Sequence, residues 1–155
     1  MSANQHYAGT SQEAMAPGLV LGDDLDCLPI APLLAGARAR GLADAFEMLG
    51  IAAILLAADG DVLFANPPAQ ALFGTHLKLF GERLVAGDEA DQRALRRMTV
   101  AALTGQSRSG ELIVQRAGLP ALKLRATPIA SAEEDPFQLL RAIILIEQIS
   151  TRSAR

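Results

Sequence analysis

The chain has 155 residues, half of them apolar and 20% charged, with a net charge of -3, which suits one domain with a real core plus tails. Its longest uninterrupted apolar run, IAAILLAA at 51 to 58, is too short to cross a bilayer, so a soluble protein with no membrane partner is expected. Residues 37 to 155 hold fourteen bases against thirteen acids, so no strongly basic face is implied and no direct nucleic acid binding by this chain is expected.

Residues 1 to 36 contain Glu13, Asp23, Asp24 and Asp26 with no Lys or Arg. They lack sustained periodicity and read as a flexible acidic extension. MSANQHYAGT has no basic n-region followed by an apolar h-region, which argues against secretion. Cys27 is the single cysteine, which excludes an intramolecular disulfide and fits a reducing, cytoplasmic location. Within the extension, LPIAPLLAG (28 to 36) can dock on the chain's own domain or on a partner.

Leu42, Ala45, Phe46 and Leu49 follow the i, i+3, i+4, i+7 spacing of one helix face, so a helix is predicted over 37 to 49, with Gly50 as its stop. IAAILLAA then reads as a buried strand, DGD (59 to 61) as a hairpin turn and VLFA (62 to 65) as the antiparallel partner. Asn66 followed by Pro67 is an N-cap and N1 pair: the amide oxygen accepts a backbone N–H, and proline gives up one that has no partner there. A short helix over 67 to 73 follows, ending at Gly74. The stretch from Thr75 to Gly87 reads as short turns and a connecting element that crosses the face of a sheet.

DEADQRALRRMTVAALTG (88 to 105) has acids in its first turn, Leu95, Met98, Ala101 and Ala102 at helical spacing, and Gly105 as terminator. ELIVQR (111 to 116) and ALKLRATPI (121 to 129) are strands. In the second, Leu122, Leu124 and Ala126 alternate with Lys123, Arg125 and Thr127, so one face is wet. SAEEDP (131 to 136) is a loop, and LLRAIILIEQI (139 to 149) is a long apolar strand suited to the centre of a sheet. Short loops make the last three strands antiparallel.

In this order, Asp59-Gly60 at a hairpin, Val62 and Phe64 facing the core, Asn66 capping a helix, then Ala69, Leu72 and Gly74, followed by a long helix and three strands, the chain resembles the PAS family over residues 37 to 149. The resemblance implies an α+β fold: a PAS-like five-stranded antiparallel sheet with helices over one face and an N-terminal flanking helix. Residues 37 to 150 form the sensory domain on this reading, and 151 to 155 a C-terminal tail. LKLFGERLVAGDEADQRALRRMTVAALTG (77 to 105) is similar to the middle of PAS-like sensor regions of LuxR-type bacterial transcriptional regulators. The chain stops at Arg155, as either a fragment of a longer regulator or a short protein without a helix-turn-helix domain.

The resemblance also frames the cofactor question. Cys27 lies upstream of the fold, where the reactive cysteine of covalent flavin binders does not sit, and residues 88 to 104 contain no histidine for an axial haem ligand. Covalent flavin and haem are therefore not expected, and any cofactor is unknown. Met98 at helical spacing is a core residue rather than a ligand.

His76 can ligate a metal, move protons or sense pH, or serve as a surface or structural histidine, since no second His or Cys lies nearby. His6 sits in the tail. Asp59 and Asp61 flank a turn glycine, where acids favour hairpins through local hydrogen bonds. TGQSRSG (104 to 110) lacks the P-loop lysine and spacing, and no catalytic or metal motif occurs. No catalytic residue and no metal site are assigned, and the chain is not expected to be an enzyme.

The expected function is a PAS-like sensory and interaction module, homodimeric, in bacterial signal transduction or transcriptional regulation, with a signalling partner protein or a fused helix-turn-helix domain outside this chain. A small apolar ligand under the long helix would be walled by Val62, Phe64, Phe73, Leu84, Met98, Ile113, Leu124 and Ile143, or these residues simply pack together. Leu42, Phe46 and Leu49 are candidates for dimer packing or for packing on their own sheet. The alternatives are a ligand-free protein-protein assembly domain and a small enzyme using His76 with a nearby acid.

Overall fold

The computed structural model describes residues 30 to 106, 110 to 129 and 139 to 150. The extension before residue 30, part of TGQSRSG, the SAEEDP loop and the last five residues lie outside the described residues, as do Cys27 and His6. Among the described residues, three helices and seven strands follow in the order α1 (Ile30–Met48), β1 (Ala52–Ala57), β2 (Val62–Ala65), α2 (Pro67–Gln70), β3 (Leu77–Phe80), β4 (Arg83–Ala86), α3 (Glu89–Leu103), β5 (Gly110–Arg116), β6 (Leu119–Pro128) and β7 (Leu140–Ile149). None of the described helices is long and apolar enough to cross a membrane.

Five strands form one antiparallel sheet in the order β2-β1-β7-β6-β5. This is the PAS-like α+β arrangement. β7 is central because its sequence is apolar on both faces: Ala142, Ile144 and Ile146 are buried on one side, and Ile143 and Leu145 alternate with them on the other. The wet face of β6 is as its alternation requires, with Leu122, Leu124 and Ala126 fully buried and Lys123, Arg125 and Thr127 facing outward.

The main core lies between the sheet and α3. Leu95, Met98 and Ala102 of α3 pack with Ile54, Leu56, Leu122, Leu124 and Ile144, all at most 5% exposed. Each such leucine or isoleucine removed from water contributes about 2 kcal/mol. Asp88 caps α3, its carboxylate accepting from the N–H of Ala90 at 2.8 Å and of Asp91 at 3.3 Å.

α1 lies on the opposite face of the sheet. Ala39 and Ala43 pack on Leu55 and Leu140, with Leu42, Phe64, Ile129 and Ile143 against them. The helix begins at Ile30 rather than 37, because Pro32 falls in the first turn, where a missing N–H leaves no hydrogen bond unmade. It ends where expected: Gly50, at φ +69°, lets its own N–H reach Glu47 O at 2.8 Å and that of Ile51 reach Phe46 O at 2.9 Å. This is a Schellman stop.

Residues 75 to 87 depart from expectation. They form a second, two-stranded sheet in which Leu77 pairs with Ala86 and Phe80 with Arg83. The turn is Gly81-Glu82, with Gly81 at φ +60°, the Gly-first two-residue loop that matches strand twist. The flanking LKLF and RLVA are too short for their alternation to stand out from a connecting element.

Candidate functional site

Asn66 is the one buried polar residue among the described core. Its amide oxygen accepts from the N–H of Ala69 at 3.1 Å, which is the predicted helix cap, and also from the N–H of Ala53 at 3.0 Å. Its amide nitrogen donates to Ile51 O at 2.8 Å, and its backbone N–H donates to Ala53 O at 3.1 Å. One side chain thus joins the start of β1, the end of β2 and the first turn of α2. With the Schellman stop on the other side of Ile51, the α1–β1 junction is fixed from both directions.

Beside that junction, β1 begins only at Ala52, opposite Ile146, so the last residues of β7 run past it without a partner on that side. The gap is a cavity of about 550 Å³. Gly50 and Ile51 form one wall, Pro68 of α2 and Leu72 just past its end another, and Lys123, Arg125, Leu145 and Glu147 the sheet side. Lys123 stands directly across from Glu147 and Arg125 across from Leu145. On the neighbouring strand, Glu111 accepts from Arg125 Nε at 2.9 Å and from one terminal nitrogen at 2.6 Å, and pairs with Lys123 Nζ at 3.4 Å. The Arg125 hydrogen bond, then that of Lys123, holds the Glu111 carboxyl below the usual carboxylate range. Both cations keep further donors for an acceptor entering the cavity.

Much of the face beneath α3 is packed, and a cavity of about 390 Å³ remains between α3 and the β3–β4 hairpin, with Gly60, Arg83, Leu84, Leu95, Thr99 and Leu103 in its lining. Val62, Phe73 and Leu84 pack against the main core, and Met98 and Leu124 belong to it. At Gly110 the approach of β5 to α3 is close: a Cβ added there would stand 2.7 Å from Met98 Cγ. Phe64 and Ile143 lie across the sheet against α1, and Ile113, on that same outer face, is 48% exposed. The eight expected walls therefore do not line one chamber. Two features of the strands separate them. The register between β1 and β2 shifts so that Leu55 pairs with Phe64 but Leu56 with Val62, and the bulge at Leu63 sends Val62 and Phe64 to opposite faces. In β5, Leu112 and Val114 take the core side, which turns Ile113 outward.

Of the residues considered for dimer packing, Leu42 packs on the chain's own sheet, Phe46 is half-buried, and Leu49 is 71% exposed beside Met48 at 89%. His76 lines a different cavity, of about 340 Å³, together with Phe73, Arg116 and Pro120. No carboxylate is among that cavity's described lining residues. Asp59 accepts from the N–H of Asp61 at 3.0 Å, and Asp61 pairs with Arg83 Nε at 2.6 Å, so both acids serve the turn and its contact with the β3–β4 hairpin. Among the described residues no group of three or more His, Cys, Asp or Glu side chains converges as a metal site.

The cavity beside α1 has signals in the sequence only in part. The alternation of Lys123 and Arg125 with leucines marks an outward face, but the register that sets Glu147 and Glu111 beside them belongs to strand pairing.

No family model matches the chain, and no curated protein matches it. Among solved structures it is similar to the sensor region of a sensor histidine kinase, at 21% identity and a TM-score of 0.48, over 63% of this chain and 38% of that one. The matched part is thus well under two thirds of that chain's length.

Proposed function

We propose that the chain is a non-enzymatic PAS-like sensory and interaction module, homodimeric and cytoplasmic, acting in bacterial signal transduction or transcriptional regulation. The observation that carries this reading is the α1–β1 junction. α1 packs across the outer face of the sheet, and its last turn is tied through Ile51 to Asn66 and so to α2 and both first strands. A change at the cavity beside Ile51 biases the position of α1, which in turn biases whatever α1 contacts. Such a bias is a population shift between arrangements of a packed element.

The scatter of the eight expected walls over both faces of the sheet favours the second reading, a ligand-free assembly domain, over a ligand chamber walled by those residues. Native mass spectrometry of the full chain purified from its own host tests both. A dimer carrying a small molecule supports sensing, and a bare dimer supports assembly. A bare monomer would sink both.

A further inference from the structure

We infer that the chain pairs with a second copy of itself through an isologous contact in which the Glu47-Met48-Leu49 corner of each protomer seats in the cavity beside Ile51 of the other. The inference rests on the reading of a self-associating module and assigns its interface.

Three features of the surface lead there. First, the corner is apolar and projecting: Met48 is 89% and Leu49 71% exposed, the first and third highest values among the exposed large hydrophobic side chains of the described residues, with Phe80 of β3 at 75% between them. Adjacent apolar residues so exposed mark a contact surface rather than a scattered surface leucine. The corner is also rigid, since the bonds from Leu49 N to Ala45 O, Gly50 N to Glu47 O and Ile51 N to Phe46 O hold it. Seating it costs little ordering.

Second, the cavity complements it. The apolar walls Ile51, Leu72 and Leu145 match Met48 and Leu49, while Lys123 and Arg125 stand where the exposed carboxylate of Glu47 would approach. Glu111 occupies the Nε and one terminal nitrogen of Arg125, so the remaining nitrogen is available to an incoming carboxylate.

Third, corner and cavity are neighbours. Gly50 follows the corner in sequence and lines the cavity, so one two-fold axis passing between them satisfies both contacts at once and closes the assembly. A projection and a cavity on opposite sides would instead build an open head-to-tail chain. The α1 face bearing Leu42 is covered by the chain's own sheet, which leaves the end of the helix rather than its apolar stripe for a partner.

The test uses two full-length proteins in a Cys27→Ala background, one carrying Leu49→Cys and the other Gln148→Cys, a residue of the cavity wall. Each holds a single thiol, so a disulfide between the two species on mild oxidation arises only between chains. From an equimolar mixture, mixed cross-linked dimers well beyond the roughly twofold excess over either like-with-like product that random pairing gives are expected, and Leu49→Asp in otherwise wild-type protein is expected to weaken association by roughly tenfold or more. A wild type that is dimeric by light scattering but yields no mixed cross-link overturns this contact and leaves self-association standing. A wild type that stays monomeric across a concentration series, with or without a small molecule in the cavity, removes both.

Discussion

The Asn66 amide oxygen is shared between the N–H of Ala53, thirteen residues earlier, and that of Ala69, three residues later. A cap that served α2 alone would need only the second bond. The first makes Asn66 part of the β1–β2 pairing, so the helix start and the strand start are set by the same atom.

Replacing Asn66 by Ala leaves the buried N–H of Ala53 and the carbonyl of Ile51 without that side chain and removes the cap. Loss of a cap costs about 1 kcal/mol and each of the two polar groups left unpaired about 1 to 3 kcal/mol, so a total of roughly 3 to 7 kcal/mol is expected. Asn66→Asp keeps the acceptor but not the donor to Ile51 O, and places a charge at a fully buried site. Urea unfolding should show both variants less stable than wild type; an exposed-cap loss of about 1 kcal/mol for Asn66→Ala would mean that the Ala53 bond contributes nothing.

Much of the fold is legible because its signals are local. Gly50 and Gly105 stop helices, Asn66-Pro67 and Asp88 start them, and the alternation of β6 names its wet face. What escapes is set by pairing. The bulge at Leu63 separates Val62 from Phe64, although they stand two apart like any same-face pair. Ile113 is as apolar as its neighbours Leu112 and Val114, yet only strand phase decides that they face the core and it does not. The β3–β4 hairpin is not legible because each strand has four residues, too few for a period of two to be distinguished from chance. The cavity beside Ile51 depends on where β1 stops relative to β7, a matter of register and not of composition.

Two glycines separate kinds of close approach. A Cβ at Gly110 meets the Met98 side chain, whereas one at Gly87 meets the Thr75 carbonyl, which is backbone. A methionine yields by changing rotamer, with an overpacking cost of about 1 to 3 kcal/mol; a paired backbone does not. Gly87→Ala should therefore destabilise more than Gly110→Ala, and Met98→Ala should relieve the second but not the first. Thermal unfolding of the single and double variants reads this as a coupling between positions 98 and 110. Strict additivity there would show that β5 and α3 are not in tight contact.

The Glu111 carboxylate offers a pH test of the outer face. Its hydrogen bonds, from Arg125 first and Lys123 second, lower its pKa in the folded protein. A group whose folded pKa is depressed contributes stability that is complete above the unfolded pKa and lost as pH falls through the folded one. Wild type should therefore exceed Glu111→Gln in stability at neutral pH, and the difference should shrink as pH falls through and below the ordinary carboxylate range. Because the group is solvent-exposed, salt should shrink the difference at neutral pH as well. Urea midpoints measured over a pH series check the stability, and carbon-detected titration of the Glu111 carboxyl checks the cause. Arg125→Gln should move that titration upward more than Lys123→Gln does, since the arginine bonds are the shorter at 2.9 and 2.6 Å against 3.4 Å. Equal shifts from the two variants would mean that through-space charge, rather than the arginine hydrogen bonds, sets the carboxyl's acidity.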